Sequence, residues 1–311
     1  MKLAPVALFV YNRPWHTQKT IEALEKNELA PETDLIIFSD GPKDDDSSRQ
    51  QVAEVRQYLK GVNGFKSVKI IERAQNYGLG KSIVAGVTEI INHYGRIIVL
   101  EDDIITSRYF LKYLNEGLNL YENDDQVISI HSYIYPVKER LPEMYFLKGA
   151  DCQGWATWKR GWDLFEPDGQ KILAELEAKN LTKEFDFNGA YPYTQLLKDQ
   201  IAGKNSSWAV RWYGSAFLKN KLTLYPGESL IYNTGFDGSG ANCGIVNIFN
   251  KTAKVENIRI NMRRIEIKEN LEAKKSIMKF FRTRNNFLLK FSSYLKNPKS
   301  AWKKVRQKLN V

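Results

Sequence analysis

An apolar run that ends abruptly in acidic residues constrains this chain more than any other feature. The run Ile97-Ile98-Val99-Leu100 is followed at once by Glu101-Asp102-Asp103. A short run of Ile, Val and Leu is typical of a strand buried on both faces, as in a parallel sheet. Because open α/β sheets bind ligands at the carboxyl ends of their strands, this strand delivers three carboxylates to the binding edge.

Three adjacent carboxylates repel one another, and their natural partner is a divalent cation. Mg²⁺ and Mn²⁺ prefer oxygen ligands, and such a metal commonly bridges phosphate groups. An ordinary solvated turn that caps a helix near Thr106 would give the same residues. Glu101, Asp102 and Asp103 are therefore candidates for a metal site, with the helix cap as the alternative.

The first 105 residues alternate strand-like and helix-like segments. Strands are predicted at 3–11, 34–39, 68–72 and 97–101, and helices at 14–27, from 46 past Leu59, and at 79–93. Strands separated by helices predict a mostly parallel sheet with helices on both faces and right-handed crossovers. The predicted fold class is therefore α/β and Rossmann-like.

After Thr106 the pattern is less regular. Helices are predicted at 109–121, 168–179, 190–201 and 209–220, and short strands at 127–131, 222–225 and 230–232. We expect residues 1–105 and 106–265 to be two halves of one domain, and residues 266–311 to form a basic helical tail.

The net charge of +10 is unevenly distributed along the chain. Residues 251–311 hold 18 basic and 4 acidic side chains, whereas the first 250 hold 28 basic and 32 acidic ones. A mildly acidic body argues against nucleic acid as a partner.

Cysteine usage and hydropathy suggest a compartment. Cys152 and Cys243 are too few and too far apart for a disulfide framework or a zinc motif. No stretch approaches the ~20 apolar residues of a membrane span. The apolar N-terminal run stops at Tyr11, too early for a secretion signal. We expect a cytoplasmic protein.

Polar residues also follow the first two predicted strands. The first is followed by Tyr11, Asn12 and Arg13; Arg13 suits a phosphate and Tyr11 a base, although Pro14 also marks an ordinary helix start. The second ends at Asp40, which would accept hydrogen bonds from a base or ribose, or simply form a turn.

The third strand leads into a glycine-containing segment from Asn76 to Ser82. Gln75 stands where a P-loop requires glycine, so the segment is not a P-loop. Gly78 and Lys81 instead lie at a helix N-terminus, where free amides and one lysine suit a diphosphate. A plain helix start is the alternative.

Together, these strand ends resemble the nucleotide-sugar half of the GT-A glycosyltransferases over residues 3–245. The Glu101-Asp102-Asp103 triplet and the later Gly154-Trp155 pair are similar to those of the N-acetylglucosaminyltransferase that starts N-glycan branching. They are closer still to its bacterial relatives in surface-polysaccharide synthesis. The resemblance implies a GT-A type fold, a nucleotide-sugar donor, most often a UDP-sugar, and Mn²⁺ or Mg²⁺.

The resemblance also implies roles for single residues. Asp103 would bind the metal, Asp102 would face the ribose and Glu101 the donor sugar, while Asp40 would contact the base or ribose. Gly154 and Trp155 would lie under the sugar, although a tryptophan-rich core is the alternative. A glycine-rich loop at 235–240 would close over the diphosphate, with Asp237 or backbone amides in place of the usual histidine.

An inverting transferase needs an acidic general base near the acceptor hydroxyl. Asp199 is the candidate, and it could equally be a solvated helix residue. Its competitors are Asp163, Glu166 and Asp186.

The tail interleaves basic with aromatic and aliphatic residues. After Glu272 there are 12 Lys or Arg and no acid. Such a helix suits an anionic membrane surface, and a solvated tail or a packing arm is the alternative.

The sequence thus predicts a metal-dependent, inverting hexosyl- or N-acetylhexosaminyltransferase. Its acceptor would be a glycan or a lipid-linked oligosaccharide of a bacterial surface polysaccharide, at the inner face of the cell membrane. The alternatives are a sugar nucleotidyltransferase and a non-catalytic glycan-binding protein with a transferase fold.

Overall fold

The computed structural model describes residues 1–237, 255 and 257–296. Its first part alternates strands and helices as the sequence predicts. The elements are β1 (Val6–Val10), α1 (Pro14–Glu25), β2 (Asp34–Ser39), α2 (Asp46–Leu59), β3 (Ser67–Glu72), α3 (Leu79–Tyr94) and β4 (Arg96–Glu101). All four strands are parallel, in the order β3-β2-β1-β4.

The second part of the chain adds shorter strands and most of the helices. The elements are β5 (Ile104–Thr106), α4 (Phe110–Leu120), β6 (Val127–His131), β7 (Met144–Lys148), β8 (Trp155–Trp158), α5 (Lys159–Trp162), α6 (Gly169–Ala178), α7 (Thr182–Phe185), α8 (Tyr193–Ile201), α9 (Ala209–Leu218), β9 (Leu222–Pro226), β10 (Ile231–Asn233) and α10 (Leu271–Lys296). The sequence patterns did not indicate β5, β7 or β8.

Both parts share one eight-stranded sheet with the order β3-β2-β1-β4-β8-β6-β9-β7. Four of its seven pairings are parallel, and β8 runs antiparallel to both β4 and β6. The predicted α/β fold with a mostly parallel sheet is confirmed.

The segment after the acidic triplet is a strand and not a helix. Ile104–Thr106 pairs antiparallel with Ile231–Asn233, and the next helix begins only at Phe110. The triplet is therefore not the cap of a helix at Thr106.

Side chains of β1 alternate between two buried faces, because successive strand residues point in opposite directions. Val6 and Leu8 pack in the core that includes α1, α2 and α4. Ala7 and Phe9 pack in the core that includes α3 and α9. The buried sheet holds its carboxyl edge rigidly between these two layers.

A strap of residues 258–270 covers the free edge of β7, the last strand of the sheet. The Asn270 amide donates to the Phe146 carbonyl at 2.8 Å, and the Lys148 amide donates to Glu269 Oε1 at 3.1 Å. Covering an edge strand removes unpaired backbone groups that would otherwise recruit another chain.

Helix α10 packs against the body through the apolar residues that were expected to face a membrane. Ala273, Ile277, Met278 and Phe281 are buried in a core shared with α6 to α9. Up to Arg284 the predicted tail is thus a packing arm, and its boundary at 266 does not mark the end of the packed body.

Several basic residues of this region form ion pairs with acids of the body. Lys279 bonds Glu139 at 2.6 Å, Arg263 bonds Glu143 at 2.8 Å and Arg264 bonds Asp124 at 2.5 Å. Opposite charges of the two parts of the chain therefore meet within one molecule.

Over the residues that the structure describes, no helix combines the length and the apolarity needed to cross a membrane.

Replacing Phe281 with alanine tests the packing of α10. Phe281 is 1% exposed, and its ring lies 4.8 Å from Tyr135 and 4.9 Å from Tyr191. We expect Phe281→Ala to lower the free energy of unfolding by about 3–5 kcal/mol, because it leaves a cavity. Urea denaturation measures the change. Lys275→Ala, on the exposed side of α10, should change it by less than about 0.5 kcal/mol; equal effects of the two variants would contradict this packing.

Candidate active site

The carboxyl ends of β1, β2 and β4 bring the predicted site residues to one edge of the sheet. Val10 pairs with Ser39, and Phe9 pairs with Glu101, so the three strands end at nearly the same level. Arg13, Asp40 and Asp102 each follow one of these ends. Neighbouring parallel strands thus bring together polar groups that are far apart in sequence.

Arg13 binds two carboxylates of the acidic triplet. Its Nη2 donates to Asp102 Oδ1 and, at 3.1 Å, to Asp103 Oδ2. Asp102 and Asp103 are 4% and 7% exposed. Burial opposes the charge on Arg13, but the two carboxylates outweigh it and raise its pKa. The guanidinium therefore stays charged and neutralises part of the triplet.

The triplet remains crowded with negative charge despite Arg13. Burial, with the charges of Asp103 and Asp102 adding to it, raises the pKa of Glu101 to about 8. Burial also raises the pKa of Asp102, against the attraction of Arg13. Groups whose ionised form is this unfavourable gain most from a further cation.

A turn from the distant part of the chain closes over Asp103. Thr234 donates to the Asp103 carbonyl through its amide at 2.8 Å and its hydroxyl at 3.0 Å. A Cβ at Gly235 would lie 2.2 Å from Asp103 Oδ2, so only glycine fits here. Asp237 lies 3.1 Å from His16 Nε2, on α1. Residues 238–240 of the predicted closing loop lie outside the described residues.

The chemistry of these oxygens fits Mg²⁺ or Mn²⁺. In the described part of the chain, no group of three or more His, Cys, Asp or Glu forms a ready-made metal site. Mg²⁺ is commonly held by one or two carboxylates together with phosphate oxygens of the substrate. Asp103 could supply such a carboxylate, and Arg13 would then compete with the cation for its Oδ2.

Asp40 contacts other parts of the chain and not the open space that a base or ribose would need. Its Oδ1 accepts from the amides of Gly41 at 3.0 Å and Tyr77 at 2.9 Å. Its Oδ2 accepts from the Gly78 amide at 2.9 Å and Asn76 Nδ2 at 3.3 Å. A carboxylate has about four acceptor positions. Asp40 therefore holds the loop before α3 in place, and its oxygens are already used.

Gly78, Lys81 and Asn76 lie where the sequence predicts, around the start of α3. Gly78 has a φ of +72° and caps the helix, and Lys81 is exposed in its first turn. Helix N-termini of this kind attract phosphate.

Tyr11 and Asn12 are tied to α2. The Tyr11 hydroxyl lies 2.6 Å from Ser48 Oγ, and Asn12 Nδ2 donates to Gln51 Oε1 at 2.9 Å. Both side chains are half-buried at the edge of the sheet beside Arg13.

Trp155 cannot provide a platform for a sugar, because its side chain is fully buried. It is 0% exposed and packs among Trp162, Trp208 and Trp212, with ring centroids 5.5–5.9 Å away. The tryptophan-rich core is the correct interpretation. Gly154 has a φ of +58°, and a Cβ there would lie 2.6 Å from Ser132 Oγ, so this glycine allows β8 to approach the end of β6.

Asp199 lies on α8, and its contacts do not connect it with the acidic triplet. Its Oδ1 accepts from Gln195 at 3.0 Å and lies 3.7 Å from Lys204 Nζ. These partners belong to α8 and the loop after it, and α8 packs against α6, α7 and α9. The solvated helix residue is the interpretation that these contacts favour.

Asp151 is a further acid in the second part of the chain. It lies in the loop before β8, whose Trp155 pairs with Val99 of β4 on one side and with His131 of β6 on the other. Its Oδ1 accepts from the Cys152 amide at 2.8 Å, and its Oδ2 accepts from the Tyr135 hydroxyl at 3.1 Å.

Sequence comparison decides the family. The pattern of glycosyl transferase family 2 matches residues 6–162, which is half of the chain. This chain belongs to glycosyl transferase family 2. The resemblance to GT-A enzymes is thereby confirmed.

Solved structures of other proteins are similar to this chain only distantly. Residues 1–349 of TarS from S. aureus share 14% identity with this family 2 chain, over 74% of it and 60% of TarS 1–349, with a TM-score of 0.40. The mannosyltransferase PcManGT from Pyrobaculum calidifontis, in complex with GDP-Man and Mn²⁺, shares 10% identity over 71% of this chain and 70% of its own, with a TM-score of 0.39. This chain thus spans less than two thirds of TarS 1–349. No curated protein matches it.

Asp40→Asn tests whether this carboxylate holds the loop before α3 in place in this family 2 chain. The asparagine side chain has nearly the same size as aspartate, but its NH₂ group can only donate hydrogen bonds. The hydrogen bonds that one of the two Asp40 oxygens accepts are therefore lost. We expect the free energy of unfolding to fall by about 1–3 kcal/mol, with faster amide exchange at Tyr77 and Gly78. Urea denaturation and hydrogen-exchange mass spectrometry measure these effects. Asp125→Asn, an exposed change before β6, is the control; unaltered exchange at residues 76–78 in Asp40→Asn would contradict the assignment.

Proposed function

We propose that this family 2 enzyme transfers a sugar from a nucleotide-diphosphate sugar, with a UDP-sugar as the first donor class, to a hydroxyl of a glycan or lipid-linked acceptor. The observation that carries the proposal is the buried acidic triplet bound by Arg13 at the sheet edge that it shares with the start of α3. Inversion at the anomeric carbon and a place in bacterial surface polysaccharide synthesis follow from the resemblance.

Different residues at this edge would bind different parts of the donor. Arg13, Gly78 and Lys81 would bind the diphosphate through a guanidinium, helix amides and an ammonium group. Tyr11, Asn12 and Asn76 would lie along the nucleoside, and Asp40 would act only by holding the Asn76–Gly78 loop.

The acidic residues would bind the donor sugar, the ribose and a metal ion. Glu101 and Asp102 would face the donor sugar and ribose, and Asp103 would hold Mn²⁺ or Mg²⁺. Such a metal neutralises negative charge that develops on a leaving diphosphate. The Arg13 guanidinium, released from Asp103, would turn to the same phosphates.

Release of nucleoside diphosphate tests this function. UDP-, GDP- and dTDP-sugars are incubated with Mn²⁺ or with EDTA, for the wild type, Asp103→Asn and the control Asp125→Asn. We expect metal-dependent release from one donor, lowered at least about 100-fold in Asp103→Asn, the scale of losing one preorganised electrostatic contact. Asp125→Asn should match the wild type.

Other outcomes would assign another activity or none. Pyrophosphate release from a nucleoside triphosphate and a sugar phosphate would indicate a nucleotidyltransferase. Glycan binding without turnover, together with no calorimetric binding of UDP and Mn²⁺, would indicate a non-catalytic protein.

We also propose that residues 285–311 attach the enzyme to an anionic membrane surface at the inner face of the cell membrane. This segment holds 7 Lys or Arg and no acid, whereas several basic residues before it are paired with the body.

Vesicle sedimentation tests the attachment. Because the membrane contact is electrostatic, truncation after Arg284 should abolish binding to phosphatidylglycerol vesicles and leave thermal unfolding unchanged. Pure phosphatidylcholine vesicles are the control and should bind neither form. Equal binding of both forms to anionic vesicles would exclude this role for residues 285–311.

A further inference from the structure

The carboxylate of Asp103 is in contact with a guanidinium and with a backbone turn. Arg13 Nη2 donates to Asp103 Oδ2 at 3.1 Å. The backbone of Gly235 lies so close to the same oxygen that a Cβ on this residue would overlap it. Asp103 as a whole is only 7% exposed. A cation that approaches this carboxylate therefore meets the positive charge of Arg13, unless the guanidinium moves away.

The turn is held more firmly than the guanidinium. Thr234 donates to the Asp103 carbonyl through its amide at 2.8 Å and its hydroxyl at 3.0 Å. Asn233 is paired with β5 as part of β10, and its Oδ1 accepts from the Gly235 amide at 2.7 Å. The Arg13 side chain, in contrast, is bound only to other side chains. Arg13 is therefore the partner of Asp103 that can move.

The Arg13 guanidinium has more donors than the triplet uses. Its Nη2 donates to Asp102 Oδ1 and Asp103 Oδ2, and its Nε lies 3.4 Å from Asp102 Oδ2. Its Nη1 is buried, yet it finds no acceptor among the residues that the structure describes. A buried charged donor without an acceptor is rare, and a guanidinium matches phosphate oxygens with pairs of N–H groups. The position of Nη1 therefore favours an anionic ligand beside the triplet.

A cation and a diphosphate would each satisfy the groups that the other displaces. A cation alone would separate the guanidinium from Asp103 and leave a buried charge without its partner, which is strongly unfavourable. A diphosphate offers the displaced guanidinium new acceptors, Nη1 included, while the cation takes its place at the carboxylate. Two ligands that favour the same arrangement of a site raise each other's affinity by the same factor.

We propose that Arg13 keeps the metal site closed until a ligand with a diphosphate group is bound. The inference rests on the proposed function and adds a selectivity to it. A nucleoside gives the guanidinium no anionic acceptor, and a single phosphate must share its few oxygens between Arg13 and the cation. A diphosphate can bind both. Arg13 would thus restrict metal binding to complexes with nucleoside diphosphates and their sugars.

Binding of Mn²⁺ in the absence of turnover tests this role of Arg13. Electron paramagnetic resonance of free Mn²⁺ measures binding to the full chain, alone and with uridine, UMP or UDP, after correction for Mn²⁺ bound by each nucleotide without protein. In the wild type we expect UDP to tighten Mn²⁺ binding at least about tenfold, within the usual range of coupling between two ligands, and uridine to leave it unchanged. UMP should have a smaller effect than UDP.

Arg13→Gln removes the guanidinium and should open the site without a nucleotide. We expect this variant to bind Mn²⁺ alone at least about tenfold more tightly than the wild type, and to gain less from UDP. A guanidinium that only supported the fold would weaken Mn²⁺ binding when removed. Mn²⁺ alone should also raise the thermal unfolding midpoint of Arg13→Gln more than that of the wild type.

Two further variants control for charge and for folding. Arg13→Lys keeps the positive charge but lacks the planar fork that bridges two carboxylates. Its affinity for Mn²⁺ alone should lie between those of the wild type and Arg13→Gln, and it keeps the test possible if Arg13→Gln does not fold. Arg263→Gln removes an exposed arginine of the strap that is paired with Glu143, and it should match the wild type.

The outcomes separate this inference from the proposed function. If the wild type binds Mn²⁺ alone as tightly as Arg13→Gln and Arg13→Lys do, the role of Arg13 is overturned, and metal-dependent release of nucleoside diphosphate by the wild type would show that the transferase function stands. A wild type that does not bind Mn²⁺ even with UDP, and that releases no nucleoside diphosphate from any donor, would overturn both.

Discussion

The pairing of one guanidinium with two buried carboxylates holds the functional edge of this protein together. Arg13 follows β1, and Asp102 and Asp103 follow β4, so the pair joins the ends of adjacent parallel strands. Buried charges are tolerated only when they are paired, and removing one partner is far costlier than never having the pair. One guanidinium neutralises only part of the charge of three carboxylates. The triplet therefore favours a further cation, together with the phosphates that such a cation binds.

Asp40 applies the same principle to the backbone. Two of its four hydrogen bonds come from the amides of Tyr77 and Gly78, so a buried charge fixes the loop that starts α3. The helix N-terminus is thereby ordered before any phosphate arrives. A preorganised site spends less of its binding energy on ordering loops. The edge at which β1, β2 and β4 end is accordingly built from two buried carboxylate networks on adjacent strand ends.

The region around Asp151 depends on parts of the chain that lie much later in sequence. Strand β8 inserts between β4 and β6, and Asp151 in the loop before it accepts a hydrogen bond from Tyr135. Helix α10 then packs Phe281 against the tyrosines around that acid. The excess positive charge of the C-terminal region is partly balanced by acids of the body, including Glu139 and Glu143. Up to Arg284, helix α10 is therefore part of the packed body.

The sequence by itself determined the alternating β1–β4 half, because short apolar runs between amphipathic helices have one stable layered arrangement. It also determined that Glu101, Asp102, Asp103 and Arg13 meet, since parallel strands place their carboxyl ends at one edge. Only the tertiary structure decided the register of β8, the burial of Trp155, the internal role of Asp40 and the separation of Asp199 from the triplet. Periodicity indicates which face of a helix or strand is apolar. The partners that a side chain finds there come from segments tens of residues away, and no local pattern encodes them.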